Sequence, residues 1–124
     1  INAGHESILT FDKNKNYEYI KSDMPPIGII KYFTESMVKS NTINLIDKTF
    51  VVYTDGVTEG YLKNGEELGA EGVQRIIDNM SEVTPKTIVE SIEKELNWGA
   101  EKLRDDITCM AINIENTEII KKPK

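Results

Sequence analysis

Two amphipathic segments between two apolar runs constrain the fold more than any other feature of this sequence. Apolar residues recur with the 3.6-residue helical period in both segments, which predicts helices at about residues 70–80 and 85–98. Thr84-Pro85 is a typical helix start, with an N-cap residue before proline. Runs 50–54 and 107–114 predict flanking strands. Because the apolar helix faces need a partner, we expect an α+β fold, a mainly antiparallel sheet with helices on one face.

The first part of the chain has the character of strands and turns. Runs 8–11 and 17–20 flank the polar stretch 12–16 and predict a hairpin. Runs 27–30 and 42–45 are further short strand candidates. The sequence supplies no visible cover for the second face of the sheet.

Composition limits the possible partners and location. The chain has 124 residues with a net charge of −6, and its Lys/Arg cluster is confined to residues 121–124. Such a surface disfavours nucleic acid and anionic membranes. The single cysteine suits a reducing compartment, and neither a membrane span nor a signal peptide is recognisable. We therefore expect a soluble, cytoplasmic protein. The chain starts at Ile1 in patterned sequence, which indicates an excerpt from a longer protein.

Acidic residues adjoin the two strongest strand candidates. Asp55 directly follows run 50–54, and Asp105 and Asp106 directly precede run 107–114. If these strands are antiparallel neighbours, the carboxylates converge at one sheet edge. A carboxylate cluster suits a hard cation such as Mg²⁺ or Mn²⁺. Gly56 would give the backbone a sharp turn and leave space for an ion and a phosphate.

Simpler interpretations of the same residues remain open at this point. Asp55-Gly56 is also a common two-residue hairpin turn, with residues 57–61 as the returning strand. Asp105 and Asp106 could cap or solubilise the start of a strand.

Four motifs together resemble a known family. They are NAGH at 2–5, YTDGVTEG at 53–60, NGEELGAEGV at 64–73 and RDDITCMAINI at 104–114. Their order and spacing resemble the C-terminal half of the bacterial PPM (PP2C-like) serine/threonine phosphatases. The most similar subgroup is the sporulation and stress-response type (SpoIIE–RsbU), which acts on anti-sigma-factor antagonists.

The resemblance implies a metal site and half a domain. Asp55 and Asp105 correspond to metal-ligating aspartates, and Asp106 to a neighbour. The family holds two Mn²⁺ or Mg²⁺ ions and has no phosphoenzyme intermediate, so the metal ligands are the expected functional residues. The family's N-terminal motifs are missing, so residues 1–124 are expected to form about half of an α-β-β-α sandwich. The expected partners are a phosphoprotein and the missing N-terminal half. Alone, the fragment is expected to bind metal weakly, to lack activity and to self-associate.

The remaining chemical groups are expected to be structural. Cys109 lies within a predicted strand and should be a buried, inert thiol. His5, the single histidine, is expected to have a structural hydrogen-bonding role. Gly65, Gly69 and Gly72 lack a following Gly-Lys-Ser/Thr, which favours a loop and the start of a helix over a phosphate loop.

Two other function classes are alternatives to a phosphatase. A non-catalytic regulatory or interaction domain could keep the fold without the chemistry, and the retained Asp55 and Asp105 argue against it. An unrelated carboxylate-metal hydrolase such as a nuclease is disfavoured by the acidic charge.

Overall fold

The computed structural model describes residues 1–96 and 106–115 and contains a four-stranded antiparallel sheet. The strands are β1 (Ile8–Asp12), β2 (Tyr17–Ile20), β3 (Lys48–Tyr53) and β4 (Cys109–Ile114). Their order in the sheet is β2-β1-β3-β4. The predicted hairpin is confirmed, and β3 and β4 are antiparallel neighbours, with Tyr53 opposite Cys109.

The predicted helices are confirmed, and a short third helix follows β3. The helices are α1 (Asp55–Thr58), α2 (Gly69–Asp78) and α3 (Pro85–Leu96). The predicted residues 97 and 98 of the last helix lie outside the described residues. Thr84 starts α3 as expected, because its Oγ1 accepts a hydrogen bond from the backbone N–H of Thr87 over 3.1 Å. The Thr87 hydroxyl in turn accepts one from the N–H of Thr84 over 2.9 Å, which completes a reciprocal cap.

The core lies between the sheet and α2 and α3. Side chains alternate along each strand, so Leu9, Val51 and Tyr53 face the helices and are at most 1% exposed. On the helix side, Val73, Ile77, Ile88 and Ile92 complete the same cluster. The helices therefore cover one face of the sheet, as predicted.

The β1–β2 hairpin holds the C-terminal end of α2. Lys15, whose φ is 59°, donates hydrogen bonds from Nζ to the carbonyl oxygens of Ile77 and Asp78, both over 3.1 Å. The Tyr17 hydroxyl donates to the Asp78 carboxylate over 2.7 Å. A cation at the last carbonyls of a helix satisfies groups without intrahelical partners and complements the helix dipole.

The strands predicted at 27–30 and 42–45 are wrong. Residues 27–30 form an exposed turn in which Gly28 has a φ of 96°, and residues 35–37 form a single turn of 3-10 helix. Leu45 lies next to an isolated bridge between Ile46 and Ile114 and belongs to no strand. β-Branched residues favour a strand locally, but a strand needs a partner edge, and these runs find none among the described residues.

The second face of the sheet is partly open. On β4, Met110, Ile112 and Ile114 alternate with the residues that pack against the core and are 51%, 40% and 37% exposed. We call these three residues the open face. Among the described residues, no helix is long and apolar enough to cross a membrane.

Candidate metal-binding edge

The end of β3 and the start of β4 meet at one edge of the sheet, which we call the acidic edge (residues 54, 55 and 106–108). Beyond the last strand pair, the backbone N–H of Thr54 donates to the carbonyl oxygen of Thr108 over 3.0 Å. The ladder thus continues one step past the strands. The segments at Asp55 and Asp106 therefore meet at one edge, whereas the convergence of the carboxylates themselves stays a prediction.

The Thr54 side chain joins these two segments. Its Oγ1 accepts a hydrogen bond from the backbone N–H of Thr108 over 3.1 Å. The same hydroxyl lies 3.4 Å from the carbonyl oxygen of Asp106, to which it can donate. Sequence analysis did not single out Thr54. The sequence feature that could have indicated this role is a hydroxyl residue between an apolar strand and an aspartate.

Asp55 begins helix α1, and the hairpin interpretation of Asp55-Gly56 is wrong. Val57 is fully buried in the core, and Gly56 is also buried. The chain therefore turns into the core as a helix and does not return as a strand. Gly56 lies within that helix, outside the residues with positive φ, so the sharp glycine turn expected there is also wrong.

The Asp55 side chain remains available to a ligand. It is exposed, and its carboxylate makes no hydrogen bond or ion pair with the residues that the structure describes. The backbone carbonyl of Asp55 accepts from the N–H of Glu59 over 2.8 Å, so α1 fixes the main chain here without using the carboxylate.

Asp105 lies outside the described residues, and its role as a ligand stays a prediction. Its neighbour Asp106 is exposed at the acidic edge, with its carbonyl next to Thr54. Within residues 1–96 and 106–115, no three His, Cys, Asp or Glu side chains group closely enough to hold a metal ion. A metal site at this edge would therefore need Asp105 or carboxylates from elsewhere.

The other candidate groups differ in burial. Cys109 is half-buried on the core side of β4, and burial raises the pKa of its thiol, as an inert role requires. His5 is exposed, and its Nδ1 lies 3.1 Å from the carbonyl oxygen of Glu6. Gly65 and Gly69 have φ values of 86° and 67°, in a loop and at the start of α2, as predicted.

Two solved structures share this fold. The phosphatase domain of the cell fate determinant SpoIIE from Bacillus subtilis, presoaked with Mn, superposes with a TM-score of 0.63 and 19% identity and matches 94% of this chain. The SiaA-PP2C domain of Pseudomonas aeruginosa superposes with a TM-score of 0.61 and 20% identity and matches 90%. The chain spans 49% of the first structure and 44% of the second.

Sequence comparison assigns the family. Residues 1–115 match the family Stage II sporulation protein E (SpoIIE). The chain therefore belongs to the SpoIIE family of PP2C-like phosphatase domains, and the predicted resemblance is confirmed. A search among curated proteins found no match.

Proposed function

We propose that residues 1–124 are the C-terminal part of the catalytic domain of a metal-dependent serine/threonine phosphoprotein phosphatase. In the intact protein this enzyme would act in the cytoplasm on a bacterial signalling protein, such as an anti-sigma-factor antagonist. The observation that carries the proposal is the acidic edge, where Thr54 joins the segments of Asp55 and Asp106. Membership of the SpoIIE family supports it.

The donor chemistry of the edge fits Mn²⁺ or Mg²⁺. Asp55 offers an exposed carboxylate without a partner among the described residues, and hard cations prefer such oxygen ligands. We assign Asp55 and Asp105 as the ligands from this chain, with the remaining ligands from the N-terminal half of the domain. The Mn presoak of the Bacillus subtilis structure agrees with this choice of metal.

The chain's own residues have two tasks in this reaction. Asp55 and Asp105 would hold the metal ions, and the bound ions would supply a water molecule of lowered pKa as the nucleophile, so that no covalent enzyme intermediate is needed. Thr54 fixes the distance between the segments that carry them, through its bond to the N–H of Thr108. Cys109 faces the core with a raised pKa, so no thiolate nucleophile is invoked.

The decisive experiment is a Mn²⁺-dependent phosphate-release assay on the intact protein carrying Asp55→Asn. The variant removes one charge from the metal site, so we expect turnover to fall about a hundredfold or more while the melting temperature of the metal-free protein is kept. Asp78→Asn is the matched control. It removes the same charge at the other end of the sheet, beside the hairpin, where Tyr17 can still donate to the amide oxygen.

Two results would contradict the proposal. Full activity of the Asp55→Asn protein would remove that residue from the metal site. An intact wild-type protein that folds but releases no phosphate with Mn²⁺ would favour the regulatory, non-catalytic domain. For residues 1–124 alone, we expect weak Mn²⁺ binding in titration calorimetry and no turnover, because ligands are missing; tight binding would show that this part of the site is complete.

A further inference from the structure

The segment before β1 is a fixed polar turn. The buried side chain of Asn2 accepts a hydrogen bond at Oδ1 from the backbone N–H of His5 over 3.0 Å. Its Nδ2 donates to the carbonyl oxygen of Glu6 over 3.1 Å. From the other side, the backbone N–H of Gly4 donates to Ser22 Oγ over 2.6 Å. The main chain around His5 is thus held from two directions.

Gly4 makes the shape of this turn specific to glycine. Its φ is 75°, a region that other residues rarely adopt, and a Cβ at this position would overlap the ring of Pro26. An isolated β-bridge between Ala3 and Met24 holds the same two chain segments together. The backbone on which His5 lies is therefore tightly determined.

The imidazole of His5 contributes little to this turn. The side chain is exposed, and the polar contact that it makes is to the carbonyl of the adjacent Glu6. Its backbone N–H, and not its ring, takes part in the bond to Asn2. A solvent-facing polar side chain on a fixed backbone can contact a ligand without further ordering of the main chain.

The strand register places His5 beside the acidic edge. β1 runs antiparallel to β3, and their last pair before this end of the sheet is Leu9 opposite Val51, so the chain enters β1 at the end of the sheet where β3 leads into Asp55.

We propose that His5 contacts the phosphoryl group of the substrate, with a ring N–H donating a hydrogen bond to a phosphoryl oxygen. This inference rests on the proposed function. The charged side chains of Glu6, Asp55 and Asp106 near this end of the sheet are acidic and would repel a phosphate dianion in the absence of metal. An imidazole adds a hydrogen-bond donor from the segment that precedes β1.

The test measures phosphate binding and catalysis in the intact, Mn²⁺-loaded protein. The variants are His5→Ala, His5→Leu and His5→Gln, of which only the last keeps an N–H donor. Lys13→Ala, in the exposed β1–β2 turn at the opposite end of the sheet, is the control. The readouts are the Kd of inorganic phosphate by calorimetry, and KM and kcat for p-nitrophenyl phosphate.

We expect His5→Ala and His5→Leu to weaken phosphate binding about tenfold and to raise KM similarly, as loss of a hydrogen bond to a charged group does. His5→Gln should recover most of the affinity, and Lys13→Ala should match the wild type. The melting temperatures should stay unchanged because the ring is exposed. If one of the two variants His5→Ala and His5→Leu fails to fold, the other one is compared with His5→Gln.

Unchanged phosphate affinity in His5→Ala or His5→Leu would overturn the inference, as would equal loss in His5→Gln. These outcomes are separate from a failure of the proposed function, in which the wild-type protein itself would release no phosphate. Phosphate binding by calorimetry does not depend on turnover, so a wild-type protein that binds phosphate without releasing it from a substrate still tests His5.

Discussion

The Oγ1 atom of Thr54 accepts a hydrogen bond from the backbone N–H of Thr108 over 3.1 Å, and this bond joins the two chain segments that carry the acidic residues. The carbonyl of Thr108 in turn accepts from the backbone N–H of Thr54 over 3.0 Å. One threonine therefore makes both a main-chain and a side-chain link across the edge, while the adjacent Asp55 carboxylate stays exposed.

Thr54→Val should weaken this link at nearly constant volume. The amide of Thr108 loses its acceptor, so we expect the free energy of unfolding to fall by about 1 kcal/mol. Hydrogen exchange at the Thr108 amide should become faster, whereas amides in the middle of β3 should change little. Urea denaturation and exchange measured by NMR check both effects. Unaltered protection of Thr108 would show that the bond contributes nothing.

Thr10→Val should increase the free energy of unfolding, the opposite effect to that of Thr54→Val. Thr10 is 1% exposed, and its Oγ1 finds no hydrogen-bond partner in the part of the chain that the structure describes. Replacing this hydroxyl by a methyl removes a buried polar atom, so we expect a stability gain of about 1 kcal/mol in the same urea series. Thr54→Val and Thr10→Val make the same chemical change at two sites. A loss of stability in Thr10→Val would show that the Thr10 hydroxyl has a hydrogen-bond partner.

Cys109 should react slowly in the folded chain. Burial raises the pKa of its thiol, so the thiolate fraction at pH 8 is smaller in the folded protein than in the unfolded one. We expect alkylation by iodoacetamide to be slower in buffer than in 6 M urea, and to rise with pH through the raised pKa.

The charged form of the Cys109 thiol is disfavoured by folding, so the thiol's contribution to stability is present below the unfolded pKa and is lost as pH rises. Cys109→Ala provides the labelling background, because the chain has a single cysteine. Equal rates in both conditions would contradict a protected thiol.

The open face should cause the isolated chain to self-associate. Met110, Ile112 and Ile114 present a contiguous apolar row on the edge strand β4, and such rows favour pairing between chains. Sedimentation velocity at micromolar concentration should show species larger than a monomer. Ile112→Lys should reduce them, and Lys13→Ala, far from this row, should not. A stable monomer at all concentrations would show that the face is tolerated in water.

The helices and the hairpin could be predicted because their signals are local. The spacing of Val73, Ile77, Ile88 and Ile92 places a complete apolar face on two consecutive helices, and those residues are buried as predicted. The pairing of β3 with β4 was a condition and not a prediction, because the apolar character of two runs does not determine which strands are neighbours; the structure shows that they pair. Strand candidates 27–30 and 42–45 failed because a strand depends on a partner that lies elsewhere in the sequence.

The candidate site was predictable in outline and not in detail. The acidic residues Asp55 and Asp106 could be placed at one edge only on the condition that their strands are antiparallel neighbours. The start of α1 at Asp55 depended on the burial of Val57, a tertiary effect that overrides the local preference of Asp-Gly for a turn. The link made by Thr54 depends on side-chain geometry across two strands, which periodicity cannot reveal.

The position of β4 in the sheet has a consequence for synthesis. β3 and β4 are neighbours, yet α1, α2 and α3 lie between them in the chain. At roughly 5–20 residues per second, a ribosome needs several seconds to make the intervening segment. During that time β1, β2 and β3 can pair, while one edge of β3 keeps its hydrogen-bonding groups open to other nascent chains. The strand that pairs with this edge of β3 also brings Asp106 to Thr54, so the acidic edge is completed only when β3 gains its second neighbour.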